Sequence, residues 1–224
     1  MYISEVIEDI KKYCKGSIND EPIDQVKTRD KILWGSIDTE CKGIVTCIWP
    51  IANVIYQAHE LGANLIISHE ALFWNHGDHT EWLEDNGVFQ KKSELLNEFG
   101  ITVWRMHDYI HSGIPVLSGL PMASKQDYVD GIFYGFANKM GWEYTKTKSP
   151  AMAFAAELSE EPVYKLAQDI IYKFGLNGTR IVGDPNALAR RICIPMHILG
   201  FMDNEIISVV EKEKIDCLIT MECT

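Results

Sequence analysis

Histidine and carboxylate residues directly follow two apolar runs of the chain. In "NLIISHEALFW", residues 64–74, the apolar run ends at His69 and Glu70. In "ITVWRMHDYIH", residues 101–111, a second apolar run is followed by His107, Asp108 and His111. Imidazole and carboxylate groups together suit zinc, manganese, iron or nickel. The two segments therefore predict a centre for divalent metal ions, with one or two ions per chain.

The histidines are clustered, which strengthens this interpretation. Five of the seven histidines lie between residues 69 and 111. His107 and His111 also have the i, i+4 spacing that places two side chains on one face of a helix. That spacing alone is weak evidence, because a strand-end histidine beside a solvated one would show it too. The clustering and the preceding strands favour the metal interpretation.

The remaining histidines are weaker candidates. The polar loop "WNHGDHTEW", residues 74–82, contains His76 and His79, which could bind metal or substrate. Its carboxylates, Asp78 and Glu81, are predicted to be solvated. Two further histidines lie elsewhere: His59 is predicted at a helix surface or packing position, and His197 lies in an irregular loop from which it could reach the centre.

Apolar periodicity predicts the elements that position these residues. Strands are predicted at 43–48, 65–67, 101–107, 151–158, 190–195 and 216–224, and a short strand and turn at 179–185. Helices are predicted at 51–61, 81–99 with an interruption at Asn86-Gly87, 132–140, 162–174 and 203–213. Alternating strands and helices predict an α/β fold, with a mostly parallel sheet flanked by helices. At the carboxyl ends of neighbouring parallel strands, His69 and His107 would converge.

The chain is predicted to contain two related α/β halves. "GIVTCIWP", a helix and "NLIISHE" run parallel to "RRICIP", a helix and "DCLITME". Residues 1–145 form the half that carries the histidine cluster, and residues 146–224 form the second half. Two ordinary βαβ units would also look alike, so the pattern does not by itself establish a duplication.

Composition excludes several classes of protein. The chain has 224 residues and a net charge of −11, which argues against general binding to the phosphates of nucleic acids. No apolar run is long enough to span a membrane. The six cysteines form no C-x-x-C pair and the N-terminus lacks an apolar signal region, so we expect free thiols in the cytoplasm. Phosphate-loop, dinucleotide-binding and G-x-S-x-G motifs are absent from the sequence.

Several segments resemble one protein family. "ELGANLIISHEALFW" is similar to the "ELGA-[DN]-L-x-I-[ST]-H-H-P-L-x-F" segment of the Nif-three-like dinuclear metal-centre family, often labelled GTP cyclohydrolase I type 2. "ITVWRMHDYIH" resembles that family's strand and H-T-x-x-D segment. "RIVGDPNALARRICI" and "DCLITMEC" resemble its later segments, in the right order, so the resemblance covers nearly the whole chain.

The resemblance implies a two-metal site in a mostly parallel α/β fold, assembled as a homohexameric ring. His69 matches the family's first metal-binding histidine, and Glu70 stands where a second histidine is usual. His107 matches the next histidine, and His111 stands at the family's metal-bridging aspartate. Glu222 occupies the position of its G-[DE] motif and is a further predicted metal ligand. The family's later H-x-x-x-E is not found before Thr224, so a further C-terminal segment is expected.

The leading hypothesis for function is a metal-dependent hydrolase-like protein, in which the ion activates water for attack on a ring carbon or phosphoester. Glu70, Asp108 and His79 are the candidate general bases. The substrate is an unidentified small molecule, and only the family label suggests a purine nucleotide. The alternatives are a non-catalytic metal-binding scaffold or regulatory protein that acts as a ring oligomer, and a structural protein with incidental histidines.

Overall fold

Contacts along the chain divide it into two compact units, Met1–Pro115 and Val116–Thr224. The computed structural model describes residues 1–74, 78–116, 128–144, 152–195 and 205–220, with residues 205–207 described by their backbone alone. The two related halves that the sequence predicts, 1–145 and 146–224, stay a prediction.

The first unit contains four helices and seven short strands within its described residues. The helices are α1 (Ile3–Tyr13), α2 (Ala52–Glu60), α3 (Gly87–Glu98) and α4 (Asp108–Ser112), and a 3₁₀ turn spans Glu81–Leu83. The strands are β1 (Ser17–Ile18), β2 (Glu21–Pro22), β3 (Ile32–Trp34), β4 (Ile44–Cys47), β5 (Leu65–Ser68), β6 (Thr102–Arg105) and β7 (Ile114–Pro115).

The main sheet of this unit has the strand order β3-β6-β5-β4. Strands β4, β5 and β6 are parallel, with Ser68 of β5 in register with Arg105 of β6. Strand β3 lies antiparallel to β6 at the edge of the sheet. The predicted α/β fold is therefore confirmed, and the sheet is mixed rather than purely parallel. The register places the residues that follow β5 and β6 at the same edge.

Helices cover both faces of this sheet because the side chains of a strand alternate between its faces. Ile66 and Val103 pack with residues of α2 and α3, which include Ile55 and Leu96. On the other face, the neighbouring strand residues pack against α1, in a cluster that contains Ile3, Val6, Ile7, Leu65, Ile67 and Trp104. All four residues of β5 are buried, and so are those of β6. The two strands that precede His69 and His107 are therefore held firmly in the core.

The helix predicted at 81–99 is interrupted where the sequence indicated. The Asn86 side chain accepts hydrogen bonds from the amides of Val88 and Phe89 and so caps the start of α3. An asparagine in this position satisfies amides that have no partner within the helix. The residues before it form only the 3₁₀ turn.

The second unit has its own three-stranded sheet. Its helices are α5 (Gly131–Met140), α6 (Val163–Phe174) and α7 (Glu205–Lys212), and its strands are β8 (Tyr128–Val129), β9 (Met152–Pro162), β10 (Leu188–Pro195) and β11 (Cys217–Leu218). The order is β11-β10-β9, with β10 parallel to β11. The expected β–α–β arrangement thus occurs in both units, as β4–α2–β5 and as β10–α7–β11.

The pairing of β9 with β10 is antiparallel, although parallel pairing was expected from the helix between them. The Val163 amide, at the start of α6, donates to the Ala187 carbonyl just before β10, at 3.0 Å. The chain therefore returns to the point at which it left the sheet. Because β10 starts beside the end of β9, it has to run in the opposite direction.

Of the short strand and turn predicted at 179–185, the strand is wrong and the turn is confirmed. These residues form no strand, and the Asp184 side chain accepts a hydrogen bond from the Asn186 amide at 2.9 Å to make a turn. The apolar run is too short to bury itself, and Val182 is largely exposed. Across the parts of the chain that the structure describes, no helix is long and apolar enough to cross a membrane.

Candidate metal centre

Three histidines meet at the carboxyl edge of the main sheet. His69 follows the last residue of β5, and His107 lies two residues after the end of β6, immediately before the first residue of α4. His111 lies in the last turn of α4, and its amide donates to the His107 carbonyl at 3.2 Å. One turn of helix therefore brings His111 back over the ring of His107, as the i, i+4 spacing predicts.

The side chains of His69, His107 and His111 form one compact group. One nitrogen from each ring can be chosen so that all three lie within 4.8 Å of one another. The rings of His69 and His107 are stacked, with centroids 4.7 Å apart, and the His111 ring stands edge-on to both. Among the described residues, this is the group of three or more metal-binding side chains that could hold an ion.

Hydrogen bonds fix the orientation of two of these rings. Nδ1 of His69 lies 3.2 Å from the Met106 carbonyl, and Nδ1 of His107 lies 2.9 Å from Oδ1 of Asp108. Because a carbonyl and a carboxylate only accept, Nδ1 of each ring carries the proton and donates it. The lone pair is then on Nε2, which is the arrangement of metal-binding histidines whose other nitrogen is held by a carbonyl or carboxylate.

Burial keeps His69 in the neutral form that metal binding requires. Burial is the largest cause that lowers the pKa of the His69 ring, followed by repulsion from the neighbouring histidines His111 and His107, and together they lower it to about 3. The ring is therefore uncharged at neutral pH, and its lone pair is available to an ion.

Asp108 is held in place by the segment before β3. Its Oδ2 accepts from the Thr28 hydroxyl at 2.9 Å and from the Arg29 amide at 3.0 Å, while Oδ1 accepts from His107. Burial by itself would raise the pKa of the Asp108 carboxyl, but the hydrogen bonds that it accepts outweigh burial and hold the pKa well below its usual range. Asp108 is consequently a permanent carboxylate that orients His107.

Asp30 anchors the start of α4 from the same segment. Its carboxylate accepts from the amides of His107 and Asp108, both at 2.8 Å, and more weakly from that of Tyr109 at 3.3 Å. These are the first amides of a helix, which have no partner within it. Asp30 therefore caps α4 from a distant part of the chain and fixes the backbone between His107 and His111.

Glu70 lies beside the histidine group and pairs with a buried arginine. Its Oε2 lies 3.0 Å from Nη2 of Arg105, and both side chains are almost completely buried. Arg105 Nε also donates to the His69 carbonyl at 3.1 Å. Oε1 of Glu70 lies 3.9 Å from Nε2 of His69. The predicted role of Glu70 as a metal ligand stays a prediction, and the structure shows that its carboxylate compensates the Arg105 charge.

Asp78 is not a solvated loop residue, which corrects the prediction. Its carboxylate accepts from the amides of Leu72, Phe73 and Trp74 at 2.8–3.1 Å. This nest of three amides binds a carboxylate for the same reason that such nests bind anions. The Asp78 side chain therefore holds the backbone of residues 72–74.

Other predicted residues lie away from the group or outside the described part of the chain. His79 is exposed beside Glu81, with 4.0 Å between ring and carboxylate, and His59 stacks on Phe99 at the surface of α2. Glu222, His197 and His76 lie outside the described residues.

Sequence patterns missed the residues that support the histidines. An arginine inside the apolar run "ITVWRMH" signals a buried charge that needs a partner, and it could have pointed to Arg105. No pattern links Asp30 to His107, because 77 positions separate them in the sequence.

The residues present fit a divalent metal ion. Three imidazoles with one nitrogen each in a common region suit zinc, iron, nickel or manganese, and the carbonyl of Met106 and the carboxylate of Asp108 provide the outer contacts that such ligands need.

The chain belongs to the DUF34/NIF3 family (NGG1p interacting factor 3), whose model matches residues 7–224. This confirms the family resemblance that the sequence motifs indicated. No curated protein matches the chain.

Solved structures of similar fold include protein SA1388 from Staphylococcus aureus, with 20% identity, a TM-score of 0.60, and coverage of 100% of this chain and 80% of that one. Protein ybgI has 19% identity, a TM-score of 0.67, and coverage of 100% and 79%. Reduced HcgD from Methanocaldococcus jannaschii has 17% identity, a TM-score of 0.58, and coverage of 100% and 79%. At these identities the likeness establishes the fold.

Proposed function

We propose that the protein is a metal-dependent hydrolase-like enzyme whose divalent ion is bound by His69, His107 and His111. The observation that carries this proposal is the convergence of one nitrogen from each ring within 4.8 Å. A divalent ion held there supplies a Lewis acid and lowers the pKa of a coordinated water towards neutrality.

The surrounding residues prepare the site for this chemistry. The Met106 carbonyl and the Asp108 carboxylate orient the His69 and His107 rings through Nδ1, which leaves Nε2 as the nitrogen that would bind the ion. Glu70 and Asp108 are the acidic side chains that we assign to the catalytic machinery. Both oxygens of Asp108 already accept hydrogen bonds, so it acts by orienting His107. Oε1 of Glu70, 3.9 Å from the His69 ring, is the better placed of the two to receive a proton from substrate.

The proposed substrate is a small molecule that water cleaves at a ring carbon, a cyclic amide or a phosphoester. The purine nucleotide of the family label GTP cyclohydrolase I type 2 is one member of this class. The net charge of −11 supports a small-molecule substrate rather than a nucleic-acid polymer.

Metal analysis combined with a turnover screen tests the proposal. Freshly purified full-length protein is expected to contain zinc, iron, manganese or nickel at a stoichiometric level. The double variant His69→Ala, His111→Ala should lose the metal and any hydrolysis of nucleotides, phosphoesters or cyclic amides. His59→Ala removes an exposed histidine outside the group and serves as the matched control. Unchanged metal content and turnover in the double variant would contradict the proposal.

A second candidate function is a non-catalytic metal-binding scaffold or regulatory protein that assembles as a homohexameric ring. Large apolar side chains are exposed around the ends of β4 and β5, namely Ile48, Trp49, Ile51, Trp74 and Trp82. Contiguous exposed apolar surface marks contacts between proteins, and within this set the rings of Trp74 and Trp82 lie 5.3 Å apart. Light scattering coupled to size exclusion would show a hexamer. A metal-loaded hexamer that turns over none of the screened compounds would favour this candidate over the enzyme.

We place the protein in the cytoplasm. The five cysteines of the described residues are all free thiols, which a reducing compartment maintains. Labelling with a thiol reagent under denaturing conditions, after extraction without a reductant, tests this assignment, because the reagent then reaches the buried Cys14 and Cys193 as well and only oxidised cysteines would not react.

A further inference from the structure

The Glu70 carboxylate occupies the position at which the resemblance expects a second metal-binding histidine. We infer that the centre takes one divalent ion, held by His69, His107 and His111, and that Glu70 neutralises Arg105 instead of binding metal. This inference rests on the proposed function, and it departs from the two-metal centre that the family resemblance implies.

The first support is the depth at which the Glu70–Arg105 pair lies. Arg105 is 1% exposed and Glu70 is 3% exposed, and the two side chains meet at 3.0 Å. A guanidinium keeps its charge even when buried, so it needs a carboxylate nearby. An ion bound through Oε1, which lies 3.9 Å from Nε2 of His69, would compete with Arg105 for the charge of the same carboxylate.

The second support is that a further hydrogen bond holds Arg105 close to the histidine group. Its Nε donates to the His69 carbonyl at 3.1 Å, directly beside a residue of the histidine group. The positive charge therefore stands next to the space that a second ion near Glu70 would occupy. Repulsion between a guanidinium and a divalent cation opposes binding there.

The third support concerns the ligands that join two ions. Two-metal sites hold their ions about 3.5–4 Å apart, and a carboxylate can bridge them, whereas a neutral imidazole has a single lone pair and binds one ion. His111 stands where the family has its bridging aspartate. Of the nearby carboxylates in the described residues, Asp108 binds His107 and the Thr28–Arg29 segment, and Asp30 binds the amides at the start of α4. The hydrogen bonds of Asp108 and Asp30 therefore position the histidines.

A metal titration of the full chain tests the inference. Chelator-stripped wild-type protein is titrated with Zn²⁺ by calorimetry and with Co²⁺ by absorbance, and dialysed samples are analysed for metal content. We expect a break at one ion per chain with either metal. The variant Glu70→Gln should still bind one ion, whereas His111→Ala should lose it. His59→Ala is again the matched control and should bind one ion.

Because Glu70→Gln leaves Arg105 buried without its carboxylate, it could unfold the protein. The double variant Glu70→Leu, Arg105→Met removes both charges and keeps apolar side chains of similar size, a change that folded proteins commonly tolerate. We expect it to remain folded by circular dichroism and to bind one ion.

The outcomes separate the inference from the proposed function. Two ions per wild-type chain, or a folded double variant that binds none, would overturn the single-ion inference and leave the proposed function standing. Absence of any binding in the wild-type protein would overturn both.

Discussion

The carboxylate of Asp108 connects the histidine group to the rest of the first unit, so its replacement by asparagine is an informative perturbation. Asp108 accepts one hydrogen bond through Oδ1, from the His107 ring, and two through Oδ2, from Thr28 and Arg29. An amide of the same size offers one acceptor oxygen and turns an NH₂ group towards the other side.

Either orientation of the new amide in Asp108→Asn has a cost. If its NH₂ group faces His107, the ring has to accept at Nδ1 and carry its proton on Nε2, which removes the lone pair that would bind metal. If the NH₂ group faces the Arg29 amide, two donors oppose each other at a distance of about 3 Å, the value now observed for the hydrogen bond.

The burial of Asp108 and its hydrogen bonds indicate how strongly Asp108→Asn should lower stability and metal affinity. Hydrogen bonds to a charged group contribute about 1.5–3 kcal/mol each, and the Asp108 side chain is only 16% exposed, so solvent screens them little. We expect Asp108→Asn to lower the free energy of unfolding of the metal-free protein by about 2–3 kcal/mol at pH 7. Carboxylates that hold metal-binding histidines change metal affinity by about 10–100-fold, and we expect a loss of Zn²⁺ affinity in that range.

Urea unfolding of the metal-free protein and Zn²⁺ titration against a chromophoric chelator measure the two effects. Asp9→Asn is the matched control, because Asp9 pairs with Lys12 at 3.3 Å on the exposed side of α1 and such pairs contribute about 0–1 kcal/mol. A Zn²⁺ affinity of Asp108→Asn within about threefold of wild type, below the range for outer carboxylates, would refute the role of Asp108 in orienting His107.

Three further predictions follow from burial, backbone geometry and helix capping. Burial lowers the pKa of His69 to about 3 in the folded protein, so as the pH falls below 7 the unfolded chain binds a proton that the folded chain does not. The metal-free protein should therefore lose about 2 kcal/mol of stability between pH 7 and pH 5. Urea unfolding at the two pH values should show a smaller loss in His69→Gln. Gly35 has φ of 82°, and a Cβ there would lie 2.8 Å from the backbone of Thr102, so Gly35→Ala should lower the free energy of unfolding by more than about 2 kcal/mol. Gly62 has φ of 70° but open space around it, so Gly62→Ala should lower it by about 1 kcal/mol in the same assay. Asp30→Ala leaves three amides at the start of α4 without their acceptor and should lower the free energy of unfolding by about 2 kcal/mol or more. These amides should exchange their hydrogens faster than in the wild-type protein, and protection equal to wild type would contradict the capping role.

The arrangement β4–α2–β5 and the convergence of His69 with His107 could be predicted from sequence because they depend on local periodicity and on parallel pairing. The return of the chain at Val163 and Ala187, which makes β9 antiparallel to β10, depends on a contact that no local pattern encodes. The same holds for Asp30, whose carboxylate finds the start of α4 only in the folded chain.

Glu70 shows a second reason why the sequence alone did not reveal the whole site. The sequence shows a carboxylate beside a histidine, which fits a metal ligand as well as an ion pair. Only the register of β5 and β6 reveals that Arg105 reaches it, because Ser68 and Arg105 are direct neighbours across the sheet. The choice between the two roles is therefore set by tertiary structure.

The central claim is that His69, His107 and His111 bind a divalent ion together. Anomalous scattering at the zinc edge, from a crystal of the full chain grown with Zn²⁺, tests it most directly. We expect one peak at about 2.0–2.1 Å from a nitrogen of each of the three rings. A zinc peak bound elsewhere with these three rings free of metal, or no peak in Zn²⁺-grown crystals, would contradict it.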